Sequence, residues 1–579
     1  MKMPMAPRAL PDLALFPLIA IALFLGGPLQ GQTYQEVAPK PVREGVKPVV
    51  VAPALPPKAP VRDQNQVLVP NLTGLRLVPS PDRIGKTAAE AAQPLVIEDL
   101  PWLTRGRAEA ITREFISRPL TRGDLARLVR ALVLLSRQLD RPVVDIFAPP
   151  QDVSGGVVQL VVLVAKRGQL RVEGNQYFAD HVMLHDVRVQ ANQEITGQQL
   201  LEDMDLINQN PFRQVDLVYA RGAEPGLTDI VLRVHDERPD RVYVGYDDTG
   251  NQATGLGRVF AGFNLGDVFH QDEQLSYQYT KSTDGDRLQA HSASYTIPLP
   301  WRNTFEIFGD WAQAKAVSGG GLFDLTGVNW QVGARYRVPL PMIGTNYTHS
   351  LNFGADYKWS NNNLEFGGTQ VFTSPVNLVE GVLGYTGVRV DATGSTQGSV
   401  TGFYSPGGIG GLNHEKDFLT QRSGANIKYE YLQATLSRVQ KLPDGYTAVL
   451  TTLGQWTSDR LLPSDQFGVG GATSVRGYDE RIVNGDDGIS GQLELRTPAW
   501  HLLKGIPDRT QFLVFVDAGR DWIHNPVGTE TDNTLAGAGP GLRMNIGNNG
   551  TIKADYGWEL KRLPGTRTGR VHLSAILSY

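Results

Sequence analysis

Leu351-Asn352-Phe353-Gly354-Ala355-Asp356-Tyr357-Lys358-Trp359 is the stretch on which the fold turns. Leu351, Phe353, Ala355, Tyr357 and Trp359 share one face of an extended chain, and Asn352, Gly354, Asp356 and Lys358 share the other. A soluble barrel would bury such an apolar face inside. Here the charged face is too regular and the apolar strands end in aromatics, so the apolar face points outward to lipid and the polar face into a lumen. The same alternation sets Leu275, Tyr277 and Tyr279 against Ser276 and Gln278. It also sets Ile552, Ala554, Tyr556 and Trp558 against Lys553, Asp555, Gly557 and Glu559.

Outward from this stretch, about 16 such segments run from Asp240 to Tyr579, an even number as bacterial barrels require. Their connections alternate in length. Pro298-Leu-Pro, Pro339-Leu-Pro, Leu442-Pro-Asp-Gly445 and Asn548-Asn-Gly550 read as short periplasmic turns. Ala314 to Thr326, Ser360 to Val376, Ser405 to Ser423 and Ser458 to Ser490 read as long outer loops. With the preceding residues in the periplasm, the loop from Ser458 to Ser490 falls outside, between strands eleven and twelve. Val571, Leu573, Ala575, Leu577 and Tyr579 occupy every second position of the last segment. That segment must pair with strand one, because lipid does not tolerate an open sheet edge. The expected fold is a transmembrane β-barrel of antiparallel strands over 240–579.

The remaining sequence fits export. Lys2 and Arg8 precede the apolar run Leu13 to Leu25, the pattern of a secretory signal peptide over residues 1–31, with cleavage near Gly27 to Gln32. No later run reaches the roughly 18 apolar residues of a spanning helix. The chain has no Cys, which excludes a disulfide framework, a thiolate metal site and a cysteine nucleophile. A net charge of −4 gives no reason to expect nucleic acid. The composition supplies turns and aromatic girdles through 63 Gly, 19 Tyr and 9 Trp. G-x-S-x-G and H-E-x-x-H are absent, and the ten His show no ligand spacing. Ser80 to Thr87 lacks the first glycine of a phosphate loop and reads as a surface turn. Asp236-Glu237 and Asp247-Asp248 read as solvated charges flanking the first strand. No enzyme, cofactor or metal is expected.

Residues 32–70 are Pro-rich and read as an extended linker. Residues 71–168 read as an α/β module. Leu75 to Val78 begin a strand, Arg107 to Ser117 form a helix, and Thr121-Arg-Gly-Asp124 opens a second helix. Strands over Pro142 to Phe147 and Val157 to Val164 follow. Residues 169–239 repeat that order, with Thr196 capping a helix that carries Leu200, Met204 and Ile207 on one face.

The loop sequence Ser464-Asp-Gln-Phe-Gly-Val-Gly-Gly-Ala-Thr-Ser-Val-Arg-Gly-Tyr478, followed on strand thirteen by Phe515-Val-Asp517-Ala-Gly519, resembles a motif pair of the outer-membrane assembly-factor superfamily. The resemblance implies a lumen loop motif (Val475, Arg476, Gly477, Tyr478) and a barrel-wall motif (Phe515, Asp517, Gly519), with Arg476 paired to Asp517. Taken singly, each motif is an ordinary loop arginine or strand aspartate; their order and strand count carry the resemblance.

Asn210-Pro-Phe-Arg213-Gln-Val215 with Pro225-Gly-Leu-Thr-Asp229 is similar to the second periplasmic module of two-partner secretion outer-membrane transporters. These are the TpsB type, or haemolysin/haemagglutinin secretion-activation family. Pro142-Val-Val-Asp145 and Gln151 to Gln159 resemble that family's first module, and Gly245 to Gly257 its first barrel hairpin. The resemblance covers residues 70 to 579 and implies two POTRA-like modules in the periplasm of a Gram-negative-type bacterium. It implies a monomer that binds an unfolded TpsA-like exoprotein, secretes it through the barrel and activates a haemolysin- or adhesin-like cargo. Asn210, Pro211, Arg213 and Val215 belong to the recognition module. Leu577 and Tyr579 are the C-terminal signal read by the barrel assembly machinery, and outer-membrane lipid surrounds the barrel. Members often begin with a pore-plugging helix, which the Pro-rich segment does not display. The alternative is an assembly factor for other barrels, which usually carries more periplasmic modules. A diffusion porin would need none.

Overall fold

A computed structural model describes residues 34–42, 63–85, 93–251, 254–318, 323–366 and 369–579. The signal peptide expected over 1–31 lies outside these residues. The chain divides into two units, with residues 34–42 grouped with 239–579 and residues 63–238 forming the other. Residues 34–42 begin with one helical turn, α1 (Tyr34–Val37).

The unit over 63–238 contains two α/β modules. The first has strands β1 (Val67–Val69), β2 (Gly74–Val78) and β3 (Leu95–Ile97), helix α2 (Arg105–Thr112) and β4 (Leu120–Thr121). Helix α3 (Arg122–Gln138), β5 (Val144–Phe147) and β6 (Val157–Val164) complete it. Its main sheet runs β3-β2-β6-β5. Leu128 and Leu132 of α3 pack with Leu75, Leu77 and Leu160 in one core. Thr121 and Asp124 form a reciprocal capping box that satisfies two backbone amides at the start of α3.

The second module starts at β7 (Lys166–Glu173), three residues before the boundary read from the sequence. Helices α4 (Asp180–Leu184) and α5 (Gly197–Ile207) precede β8 (Arg213–Arg221) and β9 (Leu227–Asp236), in sheet order β7-β9-β8. Thr196 stands at the N-cap of α5 but its side chain makes no capping hydrogen bond.

Sixteen antiparallel strands close the barrel. They begin β10 (Asp240–Asp247), β11 (Arg258–Val268), β12 (Glu273–Ser282), β13 (Leu288–Pro298), β14 (Thr304–Ser318) and β15 (Phe323–Ile343). β16 (Tyr347–Phe366), β17 (Thr369–Asp391), β18 (Gly394–Ser405), β19 (Tyr429–Lys441) and β20 (Thr447–Thr457) follow. Two short strands, β21 (Phe467–Val469) and β22 (Val483–Gly485), pair within the next loop. The barrel then resumes with β23 (Asp487–Arg496), β24 (Asp508–Trp522), β25 (Asn533–Ile546), β26 (Gly550–Glu559) and β27 (Gly569–Ser578). β27 pairs with β10, and Tyr579 and Val242 exchange both backbone hydrogen bonds at 2.9 and 3.0 Å. The expected closure of the last strand on the first is therefore present.

Along β24, Phe512, Val514 and Val516 are exposed on the outer face, whereas Leu513, Phe515, Asp517 and Asp521 are buried inside. On β27, Val571, Leu573 and Leu577 face outward and His572 inward. This matches lipid outside and a polar lumen.

Two expected loops are largely strand. Residues from 314 to 326 and from 360 to 376 fall mostly within β14 to β17, and β15, β16 and β17 have 21, 20 and 23 residues. Roughly 9–11 residues suffice to cross the membrane, so these strands continue beyond it. Beyond the bilayer no lipid enforces a period of two, so the extension loses its alternation and reads as loop, while the backbone ladder continues. Pro339-Leu-Pro341 also lies inside β15, not in a turn. The register slips between Leu340 and Ile343, an irregularity that admits residues without a ladder N–H.

Candidate functional site

The loop between β20 and β23 folds into the barrel. Val475, Arg476 and Tyr478 are buried, and Val475 and Tyr478 pack with Phe467, Val469 and Leu535. Arg476 is 1% exposed and grips Asp517 three times. Nε donates to Oδ2 at 2.7 Å, Nη2 to Oδ1 at 2.9 Å, and the backbone N–H to Oδ2 at 3.0 Å. Nη1 donates to Glu494 on β23 at 2.6 Å and to Asp555 on β26 at 3.2 Å. The guanidinium also lies 3.5 Å from the centroid of the Phe515 ring. Burial by itself would lower the Arg476 pKa; the hydrogen bonds and charge of Asp517, with Asp555 and Glu494, outweigh it and raise it. Arg543 on β25 bridges Glu494 and Asp555, so two arginines share three carboxylates.

The structure thus brings together the sequence motifs of loop and wall. Sequence reading missed Glu494, Asp555 and Arg543, which sit on three further strands with no local signature.

Backbone meets backbone beside the arginine. Gly477 has φ +104, and a Cβ at Gly557 would lie 2.4 Å from the Gly477 nitrogen. The Gly477 N–H donates to His572 Nε2 at 3.0 Å. Tyr478 closes the tip by donating to the carbonyls of Ala536 and Lys561. Beyond the tip, Asp479 pairs with Arg570.

Residues 34–42, expected to be linker without helix, lie inside the barrel along β10 to β14. The Tyr34 ring lies 4.6 Å from that of Phe308, tilted by 40°, and Val37 is buried with Ala290 and Ala312. The Val37 carbonyl accepts from Ser292 Oγ at 2.6 Å and Gln278 Nε2 at 3.2 Å. The carbonyls of Lys40 and Pro41 accept from Arg241, and that of Lys40 also from Asn264. A Pro-rich chain has free carbonyls to offer, and the polar wall supplies the donors. A helix of four residues is too short to leave a periodic signal. Asp247, read as a solvated charge, is buried and pairs with Lys40 at 3.5 Å; Asp248 faces Arg570 at 3.8 Å.

The recognition-module residues are placed differently from an exposed binding motif. Asn210, Arg213 and Val215 are buried and Pro211 is half-buried at the joint between α5 and β8. Arg213 donates to the Ile207 carbonyl and stacks on Phe178. Asn208 brackets Val215, accepting from its N–H and donating to its C=O. These side chains shape the module. Leu577 and Tyr579 are exposed on the outer face of the barrel.

Solved structures share this architecture. CdiB from Escherichia coli superposes with a TM-score of 0.71 at 16% identity, over 94% of each chain. CdiB from Acinetobacter baumannii gives 0.60 at 17% identity, over 98% of this chain and 96% of that one. In sequence, the chain is 24% identical over 424 residues to the outer membrane transporter CdiB of Dickeya dadantii, spanning 67% of this chain and 68% of that protein. It is 20% identical over 414 residues to the heme/hemopexin transporter protein HuxB of Haemophilus influenzae, spanning 69% and 72%. Residues 226–544, more than half the chain, match the family described as haemolysin secretion/activation protein ShlB/FhaC/HecB. The chain belongs to that family and is an outer-membrane transporter of two-partner secretion.

Proposed function

We propose that the two modules engage an unfolded exoprotein as it enters the periplasm and that the barrel lumen conducts it outward, with the loop clamped by Arg476 and Asp517 keeping the pore competent. The buried Arg476–Asp517 clamp carries this reading, because it places the loop inside the conduit and not over it. The second module's sheet ends in β7 and β8, and an extended cargo segment added to such an edge gains main-chain affinity with little demand on sequence. No nucleotide is available beyond the inner membrane, so folding of the cargo outside supplies the direction of travel. The cargo is haemolysin- or adhesin-like and is activated on passage. The protein works as a monomer in lipid, is inserted by the barrel assembly machinery, and does no catalysis of its own.

The test compares secreted and outer-membrane proteomes of cells with wild-type protein and with Arg476→Ala. Loss of one or a few large exoproteins, with other barrels unchanged, is expected. Normal secretion by a correctly inserted Arg476→Ala protein would refute the loop's role. A broad fall in many barrel proteins would mean an assembly factor.

A further inference from the structure

The loop is gripped a second time, on a different arc of the wall. Its outgoing limb carries Leu461 and Leu462, buried with Val376, Leu378, Phe418 and Tyr429. Asp465 follows, with its side chain fully buried. Lys358 on β16 places Nζ 2.7 Å from Asp465 Oδ1 and 2.7 Å from Glu380 Oε2 on β17. Tyr429 on β19 directs its hydroxyl at both carboxylates, 2.8 Å from Glu380 and 3.0 Å from Asp465. Gln455 on β20 donates to the carbonyl of Asp465 at 2.9 Å and to that of Asp486 at 3.0 Å, joining the outgoing and returning limbs.

This cluster sits on the seventh, eighth, tenth and eleventh strands of the barrel, whereas the Arg476 clamp sits on the twelfth to fifteenth. Tyr34 and Gln35 of the N-terminal segment lie close by, across a cavity of about 130 Å³ that Phe308, Lys358, Asp465 and Arg481 also line. A loop tied only at its tip, by Arg476 and the neighbouring Gly477, Tyr478 and Asp479, could swing about that end. Tied at Asp465 as well, it spans the lumen as a bar and fixes the limb beside α1.

We infer that Lys358 is a positioning residue for export. Through Asp465 it holds the loop's outgoing limb in place and keeps the lumen beside β14 to β16 narrow. The inference rests on the reading of the loop as the element that governs the pore, and its test separates the two.

The full-length protein is purified as wild type, Lys358→Met, Asp465→Asn, the exchanged pair Lys358→Asp with Asp465→Lys, and Arg476→Ala. Heat-modifiable migration verifies a folded barrel. Conductance is measured in planar bilayers and cargo secretion in cells. Each single substitution is expected to raise conductance at least twofold. The exchanged pair, which preserves one cation between two carboxylates, is expected to return it to the wild-type value. Wild-type conductance in folded Lys358→Met and Asp465→Asn, or an exchanged pair no better than either single, overturns the inference. Single variants that fail to insert, beside an exchanged pair that inserts, also overturn it by making the pair a folding element only. Normal secretion by Arg476→Ala alongside the expected conductance changes would sink the reading of the clamp and leave the second anchor standing.

Discussion

The backbone amide of Arg476 donates to the same Asp517 oxygen that receives its Nε, so one carboxylate fixes the loop's main chain and its side chain together. Removing one partner of a buried pair leaves the other uncompensated, at a cost of about 3–5 kcal/mol. Arg476→Ala takes the arginine from Asp517 and leaves Glu494 and Asp555 to Arg543 and Arg496, whereas Arg476→Lys keeps the charge but loses the fork and the planar stack on Phe515. Both are expected to reduce cargo secretion at least tenfold while the barrel remains folded. Secretion by Arg476→Lys at the wild-type level would show that charge alone suffices.

Gly557 and Gly477 touch backbone to backbone, so Gly557→Val should lift the loop tip from the wall without altering any charge. Secretion is expected to fall as far as it does in Arg476→Ala. Gly411→Ala, with nothing within 4 Å of the new methyl, serves as the neutral comparison. Equal secretion by the two glycine variants would contradict the contact.

The Val37 carbonyl of the N-terminal segment is held by two neutral hydrogen bonds, each contributing about 1 kcal/mol. Ser292→Ala combined with Gln278→Leu removes both donors to the Val37 carbonyl. Single-channel recordings of this double variant should show more frequent and longer open events than wild type. An unchanged open fraction would mean that the segment's seat does not limit the pore.

Val514 and Val516 are 58% and 57% exposed on the outer face of β24, on either side of buried Phe515. Val514→Arg should destabilise the barrel by about 2–4 kcal/mol if it lies near the bilayer midplane. Urea titration of protein refolded into vesicles measures this. A change below about 0.5 kcal/mol would be the value for a surface site in water and not in lipid.

In the first module, burial pushes the Asp124 pKa up, but hydrogen bonds from Arg127 and Thr121 prevail and hold it at about 2, below its ordinary value of 3.8. A depressed folded-state pKa means stabilisation that is present above the unfolded value of 3.8 and lost as pH falls through about 2. Hydrogen exchange at the first turn of α3, corrected for intrinsic rate, should be slower in wild type than in Asp124→Asn at pH 5. The two should converge near pH 2. Equal protection at pH 5 would count against the cap.

Much of the barrel was legible because lipid enforces a period of two wherever a strand crosses it, as in Leu351 to Trp359 and Val571 to Tyr579. The legibility stops where lipid stops: β15 to β17 continue past the length a bilayer needs, and there the sequence looks like loop. Arg476 and Asp517 could be paired in advance because each sits in a recognisable motif. Glu494, Asp555, Lys358 and Asp465 could not, because their meeting depends on strand register and loop path, which no local pattern encodes. The seat of residues 34–42 was hidden for a related reason. Its partners are scattered over five strands, and its own composition signals only extension.

The two occupants of the lumen differ in how firmly they are held. The loop is fastened by buried charge and by a glycine contact that leaves no room for a side chain. The N-terminal segment rests on carbonyl hydrogen bonds and on ion pairs of 3.5 and 3.7 Å, to Asp247 and Arg481. A pull on the contents of the pore would therefore dislodge one before the other. The lumen holds one fixture and one looser insert, and the order in which they yield is written into the difference between their fastenings.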